Sequence, residues 1–435
     1  MTEAQIAQLL WFGYLVEAPG NPLPSLPTAA ERKELEGLGL DALARLGAER
    51  WRSAVAKTVP QDGVVVIPLS GGLDSRSILA AVLELRGPGS IVTYTAGVPD
   101  ALDFQIGSEI ARRCGTTHYS FNLSEYPYSR EGLLDVARRA RSPVPLLGHA
   151  PVRWIEEQIG RDGVHLSGFM GDPLSGSHLL RRDSPTWGAA VQHFWLRNRF
   201  GLNRYAHTLQ ITPRAYSPAS SLPKEPFFDK RLLGYDEQLD FFVRQQGYIG
   251  ALLFLKGFEY RTPFLHPDWA SFMLGVPRRF REGQRLYKRI MLTAFPEVFS
   301  LPTTTHWGLP LTAPGWRIRA RYVRVGFREL LRRWIPGARF RTFPNTRYAD
   351  FDEWIRCRED LQCLVGESLQ RLKQREVVPW IDVDGIWNSH LRRRANHGKV
   401  LDLLTSLEIH LEIEEERVRS EGLEQTAYRK GCELA

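Results

Sequence analysis

Cysteine is scarce in this chain of 435 residues, with only Cys114, Cys357, Cys363 and Cys432. No two form a Cys-x-x-Cys pair, and Cys357 and Cys363 have no matching histidine set. This argues against a disulfide scaffold and a structural zinc site, and fits a reduced, cytoplasmic protein. Long apolar runs are also missing: no stretch reaches the ~18 consecutive apolar residues that a membrane-spanning helix needs. The apolar opening around Leu9, Leu10, Trp11 and Phe12 follows Glu3 rather than a basic region and has no small-residue cleavage site, so no signal peptide is expected. Neither Gly-Lys-Ser/Thr nor Gly-x-Gly-x-x-Gly occurs, which disfavours a P-loop kinase or a nicotinamide enzyme. There is no internal repeat.

What is present is ordinary globular material, 43% hydrophobic and 24% charged, which rules out a disordered or fibrous chain. The length allows two to four domains at roughly 100–200 residues each. Fifty-seven basic against 49 acidic residues leave a net charge of +8 and a pI near 9.3. That permits an anionic partner without demonstrating one.

The hydrophobic pattern sets the fold class. Val64-Val65-Val66-Ile67-Pro68-Leu69 is a continuous apolar run of strand length, as in a parallel sheet buried on both faces. A helix over 74–85 follows, with Ile78, Leu79, Val82 and Leu83 at helical spacing. Strands at 91–95, 118–121 and 164–166 then alternate with helices near 103–114, 131–140 and 152–159. Such alternation predicts an α/β fold with a doubly wound parallel sheet. Residues 30–58 read as helical, Asn21–Pro27 as an extended connector, and everything beyond about Gly176 as helices and loops.

The sharpest local feature is Leu69-Ser70-Gly71-Gly72-Leu73-Asp74-Ser75, between the buried strand and its helix. Two glycines let a polyphosphate approach the backbone, successive N–H groups form a nest, and the helix N-terminus adds about half a positive charge. Ser70 and Ser75 offer hydroxyls. Asp74 either caps the helix or holds a Mg²⁺ that bridges phosphates.

This strand, glycine turn and helix resemble the PP-loop of the ATP pyrophosphatases, and the chain resembles their asparagine synthetase branch. Four further segments carry the likeness over roughly residues 60–411. Tyr94-Thr95-Ala96-Gly97 with Asp103 and Cys114-Gly115-Thr116-Thr117-His118 resembles the second strand, helix and GT-x-H strand. Leu166-Ser167-Gly168-Phe169-Met170-Gly171-Asp172 resembles the second, LSGxGxD loop. Arg261-Thr262-Pro263-Phe264-Leu265, with the later Tyr287-Lys288-Arg289, resembles R-x-PFL and its lysine helix. Leu403 to Ile409 resembles the C-terminal helix.

The resemblance implies a PP-loop, adenine nucleotide alpha hydrolase-like core at 60–230 and a helical substrate lobe at 231–435. Residues 1–59 would be a linker and helical segment left from a lost glutaminase domain. It implies an ATP- and Mg²⁺-dependent ligase that adenylates a carboxylate and passes the acyl group to an amine. Leu69, Ser70, Gly71, Gly72, Asp74 and Ser75 would hold the pyrophosphate end of ATP, Ala96 the adenine, and Ser167 and Gly168 the ribose and α-phosphate. Asp74 and Asp172 would be the magnesium carboxylates, and Lys288 would neutralise the departing pyrophosphate. The partners implied are a small-molecule or peptide carboxylate and an amine donor, with a separate glutaminase or a precursor peptide as possible sources.

The chain also departs from the pattern. Position 2 is Thr2 instead of the glutaminase cysteine, so no glutamine hydrolysis is expected. Where asparagine synthetases read SGEGxDE, this chain has Phe169 for the glutamate and Pro173 for the last acid. The altered loop is more like β-lactam synthetase, carbapenam synthetase and lasso-peptide cyclase relatives, whose amine belongs to the substrate. Thr303-Thr304-Thr305-His306-Trp307-Gly308-Leu309 stands where Arg-x-Lys is expected. Candidates for a replacement base are Glu259, Tyr260, His266 and His306.

Finally, Arg317, Arg319, Arg321, Arg324, Arg328, Arg332, Arg333, Arg339, Arg341 and Arg347 face one acid, Glu329, with Trp316, Tyr322, Phe327, Trp334 and Phe340 interleaved. The reading favoured is an amphipathic helix with solvated arginines and packed aromatics. A tRNA- or nucleobase-modifying enzyme with a nucleic-acid partner is the disfavoured alternative, and a degenerate nucleotide-binding scaffold is the third.

Overall fold

The computed structural model describes residues 1–16, 23, 26–200, 210–334, 345 and 348–433, and the side chains of 328–334 and 421–433 lie outside that description. Most of the Asn21–Pro27 connector and Arg339, Arg341 and Arg347 of the basic stretch therefore lie outside the described residues.

Five strands, β1 (Val65–Pro68), β2 (Ile91–Gly97), β3 (Thr117–Asn122), β4 (Val164–Leu166) and β5 (Glu259–Arg261), form one parallel sheet in the order β3-β2-β1-β4-β5. The valine run becomes the central strand because both its faces are covered: Val65, Val66 and Ile67 are all buried. The helices Asp74–Arg86, Leu102–Cys114, Arg130–Arg139 and Val152–Ile159 fall where the periodicity places them. With all strands parallel, the order in which they are added reverses at β1: β2 and β3 are laid down on one side of it, β4 and β5 on the other. The crevice at the carboxyl ends of β1 and β4 is where ligands gather in such folds.

Three features differ from the sequence reading. Residues 30–58 form two helices, Ala29–Glu36 and Leu40–Thr58, because Gly37 and Gly39 break the run after a Thr28–Glu31 capping box. β5 extends the sheet well past Gly176; Glu-Tyr-Arg carries no apolar run to announce it. The first residues, to which the sequence reading gave no packing partner, are docked: Ile6, Leu9 and Leu10 of the Glu3–Phe12 helix are buried in the cluster around the C-terminal helix.

The Leu40–Thr58 helix braces the Asp74–Arg86 helix that follows β1. Trp51 is fully buried, with ring centroids 4.5 Å from Phe264 and 4.9 Å from Trp269, and its indole N–H donates to Ser77 O at 3.1 Å. The Gly398–Glu433 helix is the spine of the second cluster, with Leu403, Leu404, Leu407 and Ile409 fully buried. From it Ser406 Oγ accepts Leu146 N–H at 2.8 Å and Asp402 Oδ1 accepts Leu147 N–H at 3.2 Å, fixing the segment before the Val152–Ile159 helix. Among the described residues no helix is long and apolar enough to cross a membrane.

Candidate functional site

Leu69, Ser70, Gly71 and Gly72 leave β1 in a tight loop tied to its neighbours. Leu69 N–H donates to Tyr94 O at 2.7 Å and Leu69 O accepts from Thr95 Oγ1 at 2.8 Å. Ser75 Oγ accepts Ser70 N–H at 3.1 Å, closing the loop on the helix that follows. Gly71 is held from both sides. Its N–H donates to Asp103 Oδ1 at 3.0 Å, and its carbonyl accepts from Thr304 N–H at 3.0 Å and from the Thr303 hydroxyl at 3.1 Å. A Cβ on Gly71 would lie 2.7 Å from Thr304 Cγ2, so no side chain fits. The Asp74–Arg86 helix has no side-chain cap, so the capping role considered for Asp74 is not the one observed. Its N-terminus is open to an anion.

The second loop faces the first across the switch point. Ser167 and Gly168 follow β4. Ser167 N–H donates to Arg261 O on β5 at 2.9 Å, and its hydroxyl accepts Phe169 N–H at 3.2 Å. Met170 adopts a left-handed φ of 66°, at the position where the SGEGxDE pattern has glycine. Such strain is kept at loops whose shape matters. Gly171 lies against Asp74: a Cβ there would be 2.4 Å from Asp74 Cγ. Gly171→Ala is therefore expected to displace the Asp74 carboxylate and weaken magnesium-nucleotide binding about tenfold, measured by titration calorimetry against a fold check by circular dichroism. Unchanged affinity would refute the close-approach argument.

Asp74 is half-buried, and its Oδ1, which is buried, has no hydrogen-bond partner. Burial, and then the nearby charge of Asp172, push its carboxyl well above the usual range. Two carboxylates that repel each other, one with an orphaned oxygen, are a fit for a divalent cation that completes its shell from phosphates and water. Asp172 Oδ1 accepts from Gln284 Nε2 at 2.9 Å, and Gln284 also donates to Ser175 Oγ at 2.8 Å. The Lys288 ammonium donates to Gly283 O at 2.9 Å; burial lowers its pKa, and the Asp172 charge works against that. Ala96 sits one residue before the end of β2, beside the first loop.

Phe169 is buried with its ring 5.1 Å from Phe254, in the aromatic core rather than open to solvent. Of the four candidate bases, one is brought near the loops. Glu259 is level with Val164, at the start of β4 rather than its carboxyl end, and pairs with Arg261. Tyr260 packs against His165 and Phe254. His266 accepts Asp268 N–H at 3.3 Å as a helix cap. His306 alone shares a short 3₁₀ turn with Thr304, the residue bonded to Gly71, and the Lys288 charge acts on it. Sequence reasoning did not assign Gln284 or Thr304 to the site, and it used Asp103 only as part of the resemblance. Asp103 and Thr304 both follow from the Gly71 bonds.

The asparagine synthase family model matches residues 48–308, more than half of the chain. The chain belongs to that family. It is a family of ATP-dependent amide-forming synthetases. No curated protein matches the chain. The asparagine synthase match takes in both loops, Asp74, Asp172 and Lys288, and ends before the basic helix. That helix, Gly315–Trp334, corrects the expectation of packed aromatics: Trp316 is 71% and Phe327 59% exposed. Tyr322 meets the rest of the chain through its hydroxyl, which donates to Thr305 O at 3.2 Å, and an edge contact with Trp307.

Proposed function

We propose that this protein uses ATP and Mg²⁺ to adenylate a carboxylate and transfers the acyl group to an amine. The observation that carries the reading is the facing of Asp74 and Asp172 across the switch point, beside an uncapped helix start and Lys288. A carboxylate oxygen of the acid attacks the α-phosphorus of ATP, the bond to the bridging oxygen breaks, and pyrophosphate leaves. The amine then attacks the acyl carbonyl, an amide forms, AMP departs, and the amine proton passes to a base.

The glycine loop and the helix N-terminus bind the phosphate tail. Asp74 and Asp172 would hold Mg²⁺, which when bound offsets charge on the phosphates. Gln284 orients Asp172, and Lys288 neutralises the leaving pyrophosphate. Phe169 exchanges no protons. We assign that task to His306, whose pKa is lowered from its ordinary 6.5 by burial and by Lys288, leaving it neutral at pH 7. His306→Gln is expected to slow the amide-forming step about tenfold or more and to remove the acid limb that His306 gives the pH profile below 6.5. A variant with an unchanged limb would clear His306 of the role.

The function itself is tested by pyrophosphate release from ATP and magnesium over a panel of acidic metabolites and peptides, with and without amines. Release dependent on an acid supports it; none with any acid overturns it. One observation favours a second reading, nucleic-acid binding: Arg317, Arg319 and Arg324 are exposed alongside Trp316 and Phe327. RNA retained through purification and released by salt would support it.

A further inference from the structure

A cavity of about 530 Å³ lies between the end of β2 and the Gly398–Glu433 helix. One wall hangs from the strand: Val98 N–H donates to Tyr348 O at 3.0 Å, and Tyr348, Asp350 and Asp352 line the space. The opposite wall carries Tyr248 and Leu252. Tyr248 sits on a π-helical stretch, Asp240–Gly250, of the kind that recurs at functional sites. The same segment continues to Phe254, which packs on Phe169. One wall of the cavity is thus tied to the end of β2, and the other belongs to a segment that runs on to the Phe254–Phe169 contact. Gly148 completes the lining: a Cβ there would lie 2.5 Å from the Tyr348 hydroxyl.

Among the described residues its lining is one-sided in charge. Asp350, Asp352 and Asp402 line it with one cation, Lys399, which is exposed at the rim. All three carboxylates are fixed by backbone: Asp350 Oδ1 accepts Glu353 N–H at 3.3 Å, Asp352 Oδ1 accepts Gly398 N–H at 2.9 Å, and Asp402 Oδ1 accepts Leu147 N–H at 3.2 Å. Burial raises Asp402 to about 6, so it is still ionised at neutral pH, and lowers His149 to about 4, so it is not a cation. His397, which also lines the space, is only 6% exposed and its Nδ1 has no hydrogen-bond partner. Fixed carboxylates, tyrosine rings and an unpartnered imidazole nitrogen together suit an organic cation.

We propose that this cavity binds an ammonium- or guanidinium-bearing ligand and is the seat of the amine-bearing substrate. The second clause rests on the function proposed above; cation binding stands apart from it. An acid substrate of this enzyme enters the cavity through its amine end, and a simple dicarboxylate is refused.

The test uses the full-length, nucleotide-free protein and three five-carbon probes: 1,5-diaminopentane, 1,5-pentanediol and glutarate, by titration calorimetry. The diamine is expected to bind at least about tenfold more tightly than the other two. Asp352→Asn should weaken it about tenfold. Lys399→Glu, a change at an exposed rim position, should strengthen it several-fold, a gain that misfolding cannot imitate. Glutarate or the diol binding as well as the diamine, no probe binding, or Lys399→Glu leaving the diamine affinity unchanged each overturn the proposal. If the diamine binds as described but no acid and amine pair yields pyrophosphate and an amide, the cation site stands and the ligase reading fails.

Discussion

Asp74→Asn is expected to lower ATP-dependent pyrophosphate release by ~10²-fold or more and, at neutral pH, to raise the melting temperature of the nucleotide-free protein. Both effects come from one placement. Asp74 is half-buried with one buried, orphaned oxygen, and Asp172 adds a like charge beside it. An acid whose folded pKa is raised contributes its stability at low pH and loses it as pH rises through the folded value. At pH 7 to 8 the wild-type protein thus carries a strain that asparagine relieves, worth about 2 °C in melting midpoint per kcal/mol. The advantage of the variant should shrink as pH falls towards 4, where Asp74 is protonated in the wild type. Magnesium should reverse the order, stabilising the wild type by binding to its folded state and leaving the variant little changed. Lys288→Ala should match the loss of pyrophosphate release but not the gain in melting temperature, because the Lys288 charge is balanced against Asp172. Differential scanning calorimetry across pH, beside a pyrophosphate assay, reads every arm. Full turnover with no stabilisation in Asp74→Asn would remove the carboxylate from the site.

Local pattern carried much of the architecture. β1 and β4 and the Asp74–Arg86, Leu102–Cys114 and Arg130–Arg139 helices were legible because each buries an apolar set of its own; β3 buries only Phe121 and the Val152–Ile159 helix no residue, and both were legible from the alternation of strand and helix patterns. The glycine loop was legible as a tight turn because Gly71 and Gly72 fall between a strand pattern and a helix pattern. The residues that hold the site were less so. Gln284 reaches Asp172 across 112 positions, and Thr303 reaches Gly71 across 232. Neither contact leaves a periodicity to find. β5 escaped because Glu259 and Arg261 are charged and only Tyr260 packs. The basic helix shows the limit from the other side. Spacing gave Gly315–Trp334 an apolar face correctly, but periodicity says that a face exists, not that this chain covers it; Trp316, Val323 and Phe327 face solvent.

Arg76 is the strongest case of a site residue hidden in plain sequence, and it carries the second large expected effect. It directly follows the glycine-loop motif and reads as an ordinary helix position. In the fold its side chain is fully buried, and no carboxylate among the described residues pairs with it. Its guanidinium donates to Gly71 O at 3.2 Å, Leu301 O at 3.2 Å and Pro302 O at 2.6 Å, and lies 5.7 Å from the Phe299 ring centroid. Burial lowers its pKa to about 10, which leaves it charged at pH 7. A lone buried cation is tolerated because carbonyl dipoles replace water around it, and here those dipoles belong to the glycine loop and to the segment leading to Thr304. Arg76 therefore ties together the two backbones, Gly71 and Leu301–Pro302, of the proposed nucleotide cradle. Arg76→Met keeps the aliphatic volume but strips these carbonyls of a charged donor. The expected cost is about 2–4 kcal/mol of stability, with nucleotide affinity lost more than tenfold because Gly71 is no longer held. Arg76→Lys keeps the charge with a single donor centre and should fall between. Denaturant unfolding and nucleotide titration on both variants separate the two effects. If Arg76→Met bound nucleotide as the wild type does while unfolding earlier, Arg76 would be a strut of the core alone, and the Thr303–Thr304 contacts would suffice to hold the loop.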